Sequence, residues 1–375
     1  MKTARTYLDW NATAPLLPEA REAMLRALDL IGNPSSVHAE GRAARRLIED
    51  AREQVAALAG ARPQEVIFTS GATEANNTVI RSGWDAVFAA GIEHDSVLAP
   101  IRASGARHVS IAVGSDGVTA IADCEAMFAA KQVPGRSLVT LQMANNETGV
   151  IQPVAALAGI ARGQGVHVHT DATQAVGRIA VDFAGLGVDY LSFSSHKLGG
   201  PKGVGVLVAR EDAPLSPWLT GGGQERRQRA GTENVAAIAG FGAAAAAAQA
   251  GLAGYARLAV LRDHLEAEVL RITPAVTIVA RDAPRLANTS CIANGRRAAE
   301  TLVTVLDLAG IAVSAGAACS SGKVAASHVL EAMGLYPAMT RAAIRVSIGP
   351  TTTDNDIAAF LAAWENITRQ VAKAA

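Results

Sequence analysis

Residues 190–197 read Tyr190-Leu191-Ser192-Phe193-Ser194-Ser195-His196-Lys197, an apolar run that ends in small polar groups, an imidazole and a lysine. After Leu198 comes the turn Gly199-Gly200-Pro201. An apolar run bounded by such a turn is typical of a buried strand that ends at a loop. A long cation has little structural purpose at that point, so we predict a chemical role for Lys197 in preference to a solvated surface position.

Short apolar runs of the same kind recur on both sides of this one. Helix-length segments such as residues 154–162 separate several of them. We predict strands at residues 66–68, 86–88, 109–113, 138–141, 166–168, 190–193 and 204–208. Strands that alternate with helices form a largely parallel sheet covered by helices, so the predicted fold class is α/β. Ligands of such sheets bind beyond the carboxyl ends of the strands, where the polar residues of this chain collect.

The chain is long enough for about two lobes, since it has 375 residues, of which 50% are hydrophobic and 18% are charged. We predict a large domain over residues 15–250. A smaller α+β domain would combine residues 1–14 with 251–375 and carry a loop at about 314–326. The other predicted elements are helices over 36–60, 260–271 and 298–309, a helix that starts within 243–254, strands at 276–279 and 344–346, and a last helix from Thr353 with Asp356 in its capping box.

Charge and hydropathy exclude several classes of partner. The formal net charge is +0 and basic residues form no run with interleaved aromatic residues, so we expect no nucleic-acid and no membrane binding. The first residues are basic but no apolar signal segment follows them, and the alanine block at 243–248 is too short to span a bilayer. We therefore expect a cytoplasmic protein.

The three cysteines form no close pair and no metal-type spacing, which argues against disulfides and against a stable metal site. Cys124 and Cys291 have the context of ordinary thiols. Cys319 lies among small residues with glycines on both sides, and we expect an exposed, mobile loop there. Because nearby Lys323 or His328 could raise its thiolate fraction, Cys319 is the candidate working thiol.

A phosphate site is predicted where two strand ends meet. Gly71, Ala72 and Thr73 occupy a strand-to-helix turn, which offers backbone N–H groups, a hydroxyl and a helix N-terminus. Such turns also occur without any ligand, so this signal is weak on its own. Ser194 and His196 come from another strand end and could complete the phosphate cup with a hydroxyl and an imidazole.

Asp171 follows the predicted strand at 166–168. Alone, it could be the N-cap of a following helix. Together with Lys197 it suggests pyridoxal phosphate, because that cofactor takes a lysine at its aldehyde and a carboxylate at its ring nitrogen. A lysine that burial and neighbouring cations deprive of its proton can condense with the aldehyde.

Further residues are candidates for the same site. His94 could lie on the cofactor ring or shuttle protons, although a lone histidine is more often structural. Gln174 and Asn146 could hydrogen-bond the phenolic oxygen of the cofactor or the substrate. Arg345 could bind a substrate carboxylate in a bidentate fork, with a surface ion pair as the alternative.

Over nearly its whole length, the chain resembles the cysteine desulfurases of the NifS/IscS type. The motifs that carry this resemblance are Tyr7-Leu8-Asp9 with Asn11-Ala12-Thr13-Ala14-Pro15, Gly32-Asn33-Pro34-Ser35-Ser36, residues 69–77 (TSGATEANN), residues 145–149 (NNETG), residues 169–177 (HTDATQAVG), Ser194-Ser195-His196-Lys197, residues 221–226 (GGGQER) and residues 229–234 (RAGTEN). A last motif, residues 314–322 with Ser327-His328-Val329-Leu330 behind it, is similar to the long cysteine loop that separates this group from the SufS-like desulfurases.

The resemblance implies a fold-type I enzyme that depends on pyridoxal 5'-phosphate, is related to the class-V aminotransferases and works as a homodimer. It implies conversion of L-cysteine to L-alanine, with the sulfur held as a persulfide on Cys319. An acceptor scaffold protein would then receive the sulfur for iron–sulfur cluster assembly or related sulfur trafficking. Cys319 could also ligate a cluster transiently during its assembly.

The resemblance also implies roles for single residues. Lys197 would hold the cofactor covalently, Asp171 would face its ring nitrogen, and His94 would stack on its ring and take part in catalysis. Arg345 would anchor the substrate carboxylate, with Asn146 near both substrate and cofactor. The remaining implied contacts are Gln174 to the cofactor, Ala72, Thr73, Ser194 and His196 to its phosphate, and Thr232 to the phosphate of the other subunit.

Two other functions remain open at this point. An aminotransferase or a β-elimination lyase would need Lys197 and Asp171 but would have no use for Cys319. A non-catalytic relative could serve only as a scaffold in iron–sulfur assembly or tRNA thiolation. The sequence leaves the sulfur-accepting pathway open among housekeeping clusters, nitrogenase and tRNA thiolation, and it leaves selenocysteine open as a second substrate.

Overall fold

The computed structural model describes residues 5–130, 135–316 and 326–374, with side chains described as far as residue 368. The helices are α1 (Pro18–Leu28), α2 (Ala39–Ala59), α3 (Ala72–Ile80), α4 (Asp95–Ser104), α5 (Cys124–Ala129), α6 (Val154–Gly163), α7 (Phe183–Leu186), α8 (Val235–Tyr255), α9 (Leu258–Ile272), α10 (Ala299–Leu308), α11 (His328–Ala332), α12 (Pro337–Thr340) and α13 (Asp354–Ala374). The strands are β1 (Thr6–Tyr7), β2 (Val66–Thr69), β3 (Ala86–Ala90), β4 (Arg107–Ile111), β5 (Ser137–Thr140), β6 (His167–Asp171), β7 (Tyr190–Ser194), β8 (Gly205–Ala209), β9 (Thr277–Ile278), β10 (Thr289–Ala293), β11 (Ile311–Ala312), β12 (Ser314–Ala315) and β13 (Ala343–Ser347).

The large sheet has the strand order β2-β8-β7-β6-β5-β3-β4. Every strand predicted for it is present, and the strands from β7 to β4 are parallel to one another. Only β8 runs the other way, antiparallel to both β2 and β7. The short connection from Ser194 to Gly205 explains this reversal, because a parallel partner would need a crossover of a dozen residues or more. The α/β fold class is confirmed.

The direction of the strands brings the predicted site residues to one edge of the sheet. Because β8 is antiparallel to both of its neighbours, β2 points the same way as the parallel strands. The carboxyl ends of β2, β6 and β7 therefore share one edge, and these ends are Thr69, Asp171 and Ser194. The sequence-based rule that chemistry collects beyond strand ends holds for this sheet.

A second, antiparallel sheet has the order β12-β13-β10-β9, and the short strands β1 and β11 pair in parallel beside it. Leu8, Phe360 and Trp364 belong to a buried apolar cluster that these strands share with α9, α10 and α13. The capping box at the start of α13 forms as predicted, since Thr353 N donates to Asp356 Oδ2 at 2.9 Å. The division of the chain into domains at residue 250 stays a prediction.

Helix α8 differs from the prediction. It begins at Val235, ahead of the predicted 243–254 segment, because the side chain of Asn234 accepts a hydrogen bond from Ala237 N and caps it. By length and composition alone, its 21 residues and mean hydropathy of 1.6 would suit a membrane span. The prediction based on the alanine block at 243–248 therefore underestimated the length of this apolar helix. The helix packs against α1 and α2 instead. Glycines allow this contact: a Cβ on Gly240 would lie 2.5 Å from Met24 Cγ.

Candidate active site

A cavity of about 650 Å³ opens at the carboxyl edge of the large sheet. It has the size of ordinary small-molecule sites. The predicted site residues that line it are Ala72, Thr73, His94, Asn146, Asp171, Gln174, Ser194, His196, Lys197 and Arg345. Thr232 is exposed and does not line it, and Cys319 lies outside the described residues. The structure thus gathers most of the predicted residues in one place, while their individual roles stay predictions.

The predicted phosphate end of the cavity is built by the turn from β2 into α3. Gly71 precedes α3, whose first residues Ala72 and Thr73 line the cavity with Ser194. The neighbouring strand presses against this turn: a Cβ on Gly205 would lie 2.6 Å from Gly71 Cα. A glycine at position 205 therefore lets β8 support the turn at close range.

His196 stands at the same end of the cavity. Its Nδ1 lies 3.2 Å from Thr13 Oγ1. Burial, assisted by the charges of Lys197, Lys202 and Arg178, lowers the pKa of His196 to about 4. The ring is therefore neutral at physiological pH and offers one N–H to a ligand. Lys202 also lines the cavity, a position that the sequence did not suggest.

Asp171 is fixed at the other end by two donors. Its Oδ2 accepts from Asn76 Nδ2 at 2.8 Å, and its Oδ1 accepts from Thr173 N at 2.9 Å. The residues that follow form turns and no helix. The alternative of a helix N-cap is therefore wrong, and the carboxylate is held in a buried position on the cavity wall.

The amine of Lys197 contacts the N-terminal part of the chain. Nζ donates to the carbonyl oxygens of Asn11 at 2.6 Å and Ala12 at 2.9 Å. Both residues also line the cavity. No local pattern could have predicted this contact, because 186 residues of sequence separate Lys197 from Asn11.

His94 caps a helix and also lines the cavity. It is the N-cap of α4, and its Nδ1 accepts from Ser96 N at 3.0 Å. The alternative of a structural histidine is thus correct in part, although the residue also lines the cavity. Because Nδ1 is an acceptor, the neutral ring carries its proton on Nε2.

Arg345 is buried, with 4% of its side chain exposed. Nη2 donates to Asp9 Oδ1 at 2.7 Å and Nη1 donates to the Asn146 carbonyl at 3.1 Å. The alternative of a surface ion pair is therefore wrong. The second carboxylate oxygen of Asp9 accepts from Ser314 Oγ at 2.8 Å, so Asp9 links Arg345 to β12.

The described residues on either side of the cysteine segment meet at Glu147. Its Oε2 accepts from Ser327 Oγ at 2.6 Å, and a Cβ on Gly316 would lie 2.7 Å from the same oxygen. Burial raises the pKa of Glu147 to about 7. Gly316 also lines the cavity, so the segment that contains Cys319 starts at the cavity wall.

The other two cysteines are buried, as expected of core thiols. Burial raises the pKa of both Cys124 and Cys291 above the ordinary value of a thiol. Neither is suited to supply a thiolate. Among the residues that the structure describes, His, Cys, Asp and Glu side chains form no cluster of three or more that could hold a metal ion.

The residues of the cavity fit pyridoxal phosphate. A lysine amine, a fixed carboxylate and a hydroxyl-lined helix N-terminus share one cavity of suitable volume. Two polar atoms of lining residues, Thr173 Oγ1 and Arg345 Nε, are buried and have no hydrogen-bond partner among the residues that the structure describes. Buried polar atoms normally have partners, so these two point to a polar ligand in the cavity.

Comparisons with known proteins agree with this chemistry. Residues 6–360 match the family model described as Aminotransferase class-V. The chain is 44% identical over 365 residues to a cysteine desulfurase of Cereibacter sphaeroides, covering 94% of this chain and 93% of that protein. It is 40% identical over 372 residues to an IscS-like cysteine desulfurase of Mycobacterium tuberculosis, covering 95% and 94%.

Solved structures give the same result. A NifS-like protein from Rickettsia africae has a TM-score of 0.90 at 35% identity, over 97% of this chain and 99% of that one. A structure of SspA in complex with cysteine has a TM-score of 0.78 at 29% identity, over 93% and 100%. The structural similarity therefore extends over both of the larger sheets and over the residues that line the cavity.

Proposed function

Since this chain belongs to the class-V aminotransferase family and, within it, to the cysteine desulfurases, we propose that it converts L-cysteine to L-alanine and passes the sulfur on as a persulfide. The observation that carries this function is the shared cavity of Lys197, Asp171 and Arg345, whose wall includes Gly316 at the start of the cysteine segment. A lysine and a carboxylate serve the cofactor, and an arginine serves the carboxylate of an amino acid.

Pyridoxal phosphate, when bound, supplies an electron sink for bonds broken at the amino acid. Lys197 would hold its aldehyde, Asp171 its ring nitrogen, and the start of α3 its phosphate. Gln174 and Asn146 would bind its ring oxygen or the substrate. His94, with the proton of its neutral ring on Nε2, would lie against the ring and move a proton.

The substrate would be held by its carboxylate. Arg345 already donates to Asp9 and to the Asn146 carbonyl, and its buried Nε has no partner among the described residues. This fixed guanidinium can donate further hydrogen bonds to a carboxylate without losing side-chain entropy.

Cys319 would accept the sulfur. Its thiolate would attack the substrate sulfur, an S–S bond would form, and the C–S bond would break. The bonding electron pair would remain with the carbon, which takes up a proton and leaves as alanine. The persulfide would then be attacked by a thiol of an acceptor scaffold protein, which takes over the outer sulfur.

We also propose a homodimer in the cytoplasm. Leu28, Ile31 and Val37, on α1 and the connection to α2, are 66%, 93% and 87% exposed. Together these residues, which are close in sequence, would form an exposed apolar patch, and such a patch is typical of an interface. Exposed Thr232 would reach the phosphate in the partner's cavity. The cytoplasmic location is supported by Cys124 and Cys291, which are unpaired thiols.

The test is a comparison of the parent protein with Lys197→Ala and Cys319→Ala. We expect the parent to bind pyridoxal phosphate with a yellow colour and to form equal amounts of alanine and sulfide from L-cysteine in the presence of a thiol reductant. The lysine variant should lose the covalently held cofactor. The cysteine variant should keep the colour and lose sulfide formation. Unchanged turnover of Cys319→Ala would favour a lyase or an aminotransferase, and a parent that stays colourless would favour a scaffold.

A further inference from the structure

Arg178 is a buried cation that has no carboxylate partner in the part of the chain that the structure describes. Its relative exposure is 6%, and among the described residues its hydrogen bonds go only to neutral oxygens. These are Asn11 Oδ1 and Gln174 Oε1, both at 2.6 Å from Nη1, and the Trp10 carbonyl at 3.5 Å from Nη2. A buried charge is costly unless an opposite charge balances it. This arrangement therefore calls for an anion close by.

Arg178 fixes the orientation of a cavity-lining amide. A guanidinium can only donate hydrogen bonds, so the Gln174 oxygen must face it and the Gln174 NH2 group must point away. That NH2 group donates to the Asn11 carbonyl at 3.1 Å. Among the described residues this NH2 group makes no second hydrogen bond, and Gln174 lines the cavity, so its other hydrogen can serve a ligand.

Arg178 also holds the segment that contacts Lys197. Asn11 accepts from Arg178 through its side chain and from Lys197 Nζ through its carbonyl. The same side chain donates to the Asn146 carbonyl at 3.1 Å. One guanidinium thus supports the lysine, the amide of Gln174 and the backbone at Asn146.

The charges around Arg178 leave its own charge uncompensated. The acid that interacts with it is the phenol of Tyr255, and burial raises the pKa of that phenol, so it stays neutral. The second guanidinium nearby, Arg345, repels it and is paired with Asp9. The result is a positive potential behind Gln174 and Asn11, which favours an ionised oxygen on the cavity side.

We propose that Arg178 is a positioning residue that turns the NH2 group of Gln174 toward the phenolic oxygen of the cofactor and whose charge favours the ionised form of that oxygen. This inference rests on the proposed function, because it assumes pyridoxal phosphate in the cavity. A purely structural role, in which Arg178 only ties residues 10–11 to residue 174, is the alternative.

The experiment compares the parent with Arg178→Met, Arg178→Lys, Gln174→Leu and the double variant Arg178→Met/Gln174→Leu. Dissociation constants of pyridoxal phosphate are measured by equilibrium dialysis of the apoproteins, and visible spectra of the loaded proteins are recorded at one pH. We expect Arg178→Met to weaken cofactor binding by about 10-fold or more and to reduce the long-wavelength band of the ionised chromophore. Arg178→Lys, which keeps the charge, should retain most of both.

The double variant tests whether the two residues act together. If Arg178 acts through Gln174, the methionine substitution should weaken binding less in the Gln174→Leu background than in the parent. If Arg178→Met lowers the thermal midpoint but leaves the dissociation constant and the spectrum as in the parent, the inference is overturned and the role is structural.

Further outcomes keep the test decisive. If Arg178→Met does not fold, Gln174→Glu replaces it, since a carboxylate can pair with Arg178 but has no NH2 group to offer. Loss of the long-wavelength band in Gln174→Glu, with the band retained in Arg178→Lys, supports the inference, and a parent-like spectrum of Gln174→Glu overturns it. A parent that binds no pyridoxal phosphate would overturn the proposed function itself, and the inference with it.

Discussion

Arg345 has two fixed partners before any substrate arrives. Asp9 and the Asn146 carbonyl hold its guanidinium in place from one side. A fixed guanidinium loses little conformational freedom when it binds a carboxylate. A lysine in its place has a flexible stem and could not offer the same two parallel donors.

We therefore predict that Arg345→Lys raises the KM for L-cysteine by about 10- to 100-fold, because a charged, two-pronged hydrogen bond is lost. Cofactor binding should change little. Steady-state kinetics measure this, with Arg341→Lys as the control, since Arg341 lies on the same segment but is exposed. An unchanged KM in Arg345→Lys would show that the carboxylate binds elsewhere.

Glu93 is a buried acid beside His94. Its Oε1 accepts from Gln142 N at 2.7 Å, while Oε2 is buried without a partner among the described residues. Burial raises the pKa of Glu93 to about 8. The folded protein thus keeps a proton on Glu93 at pH values where the unfolded chain, with a pKa of 4.5, has released it.

This difference predicts the pH dependence of stability. The free energy of unfolding should fall as the pH rises from about 4.5 to about 8, by at most about 1.4 kcal/mol per pH unit for this group, and level off above. Glu93→Gln, which has nearly the same shape, should remove that part of the fall. Thermal midpoints of both proteins across this range measure it, and parallel curves would contradict the assignment.

At the scale of elements, the contact between β8 and the turn into α3 requires that residue 205 has no side chain. A methyl group on Gly205 would meet backbone atoms of Gly71 at 2.6 and 2.7 Å, and backbone cannot move aside as a side chain can. The strand or the turn would have to shift. The turn is the candidate phosphate seat, so stability and cofactor binding are coupled here.

We predict that Gly205→Ala lowers the free energy of unfolding by about 1–3 kcal/mol and weakens pyridoxal phosphate binding. Urea unfolding and equilibrium dialysis measure the two effects. Gly159→Ala in α6 is the matched control, because a Cβ there meets nothing within 4 Å and alanine favours a helix. Equal behaviour of the two variants would contradict the close contact.

The sequence predicts helices and strands well where apolar residues repeat at a regular spacing. It predicts a strand poorly where only hydrogen-bonded pairing with distant strands stabilises it. All strands of the large sheet follow from their apolar runs. Strand β10, with the mixed sequence Thr289-Ser290-Cys291-Ile292-Ala293, was missed because its burial comes from pairing with β13 and β9 on both sides. Helix α8 was predicted too short because the prediction followed the alanine-rich composition and did not use Asn234 as the N-cap.

At the scale of the whole molecule, the proposed homodimer would account both for the exposed apolar residues between Leu28 and Val37 and for the position of Thr232. Leu28, Ile31 and Val37 are among the most exposed large apolar side chains that the structure describes. Thr232 lies at the surface and does not line the cavity of its own chain. A second copy of the chain would cover the patch and bring its threonine to the neighbouring phosphate seat.

We predict that Ile31→Glu shifts the protein from dimer to monomer and weakens cofactor binding, since a charge would be buried in the interface. Sedimentation velocity and dialysis measure the two effects. Leu308→Glu is the control, because Leu308 is 83% exposed and lies on α10, which packs against β11, β12 and β13 away from the large sheet. A dimer that tolerates Ile31→Glu would place the interface elsewhere.

The candidate site was predictable from the sequence where its residues end a strand, as Asp171 and Ser194 do, or follow one, as Lys197 does. Asn11, Asp9 and Arg178 were not assigned a role, because their contacts join segments that are far apart in the chain. Such contacts leave no local periodicity. Only the folded arrangement shows which carbonyl receives the amine of Lys197.

The parallel pairing of β1 with β11 joins two segments that are far apart in the sequence, Thr6–Tyr7 and Ile311–Ala312. Asn11 and Ala12, whose carbonyls accept hydrogen bonds from the amine of Lys197, lie shortly after β1 in the sequence. A nascent chain therefore lacks the support for these carbonyls until residue 311 has emerged from the exit tunnel. We therefore expect insertion of the coenzyme to be a late event in biogenesis, and chains interrupted before residue 311 should lack a completed pocket to receive it.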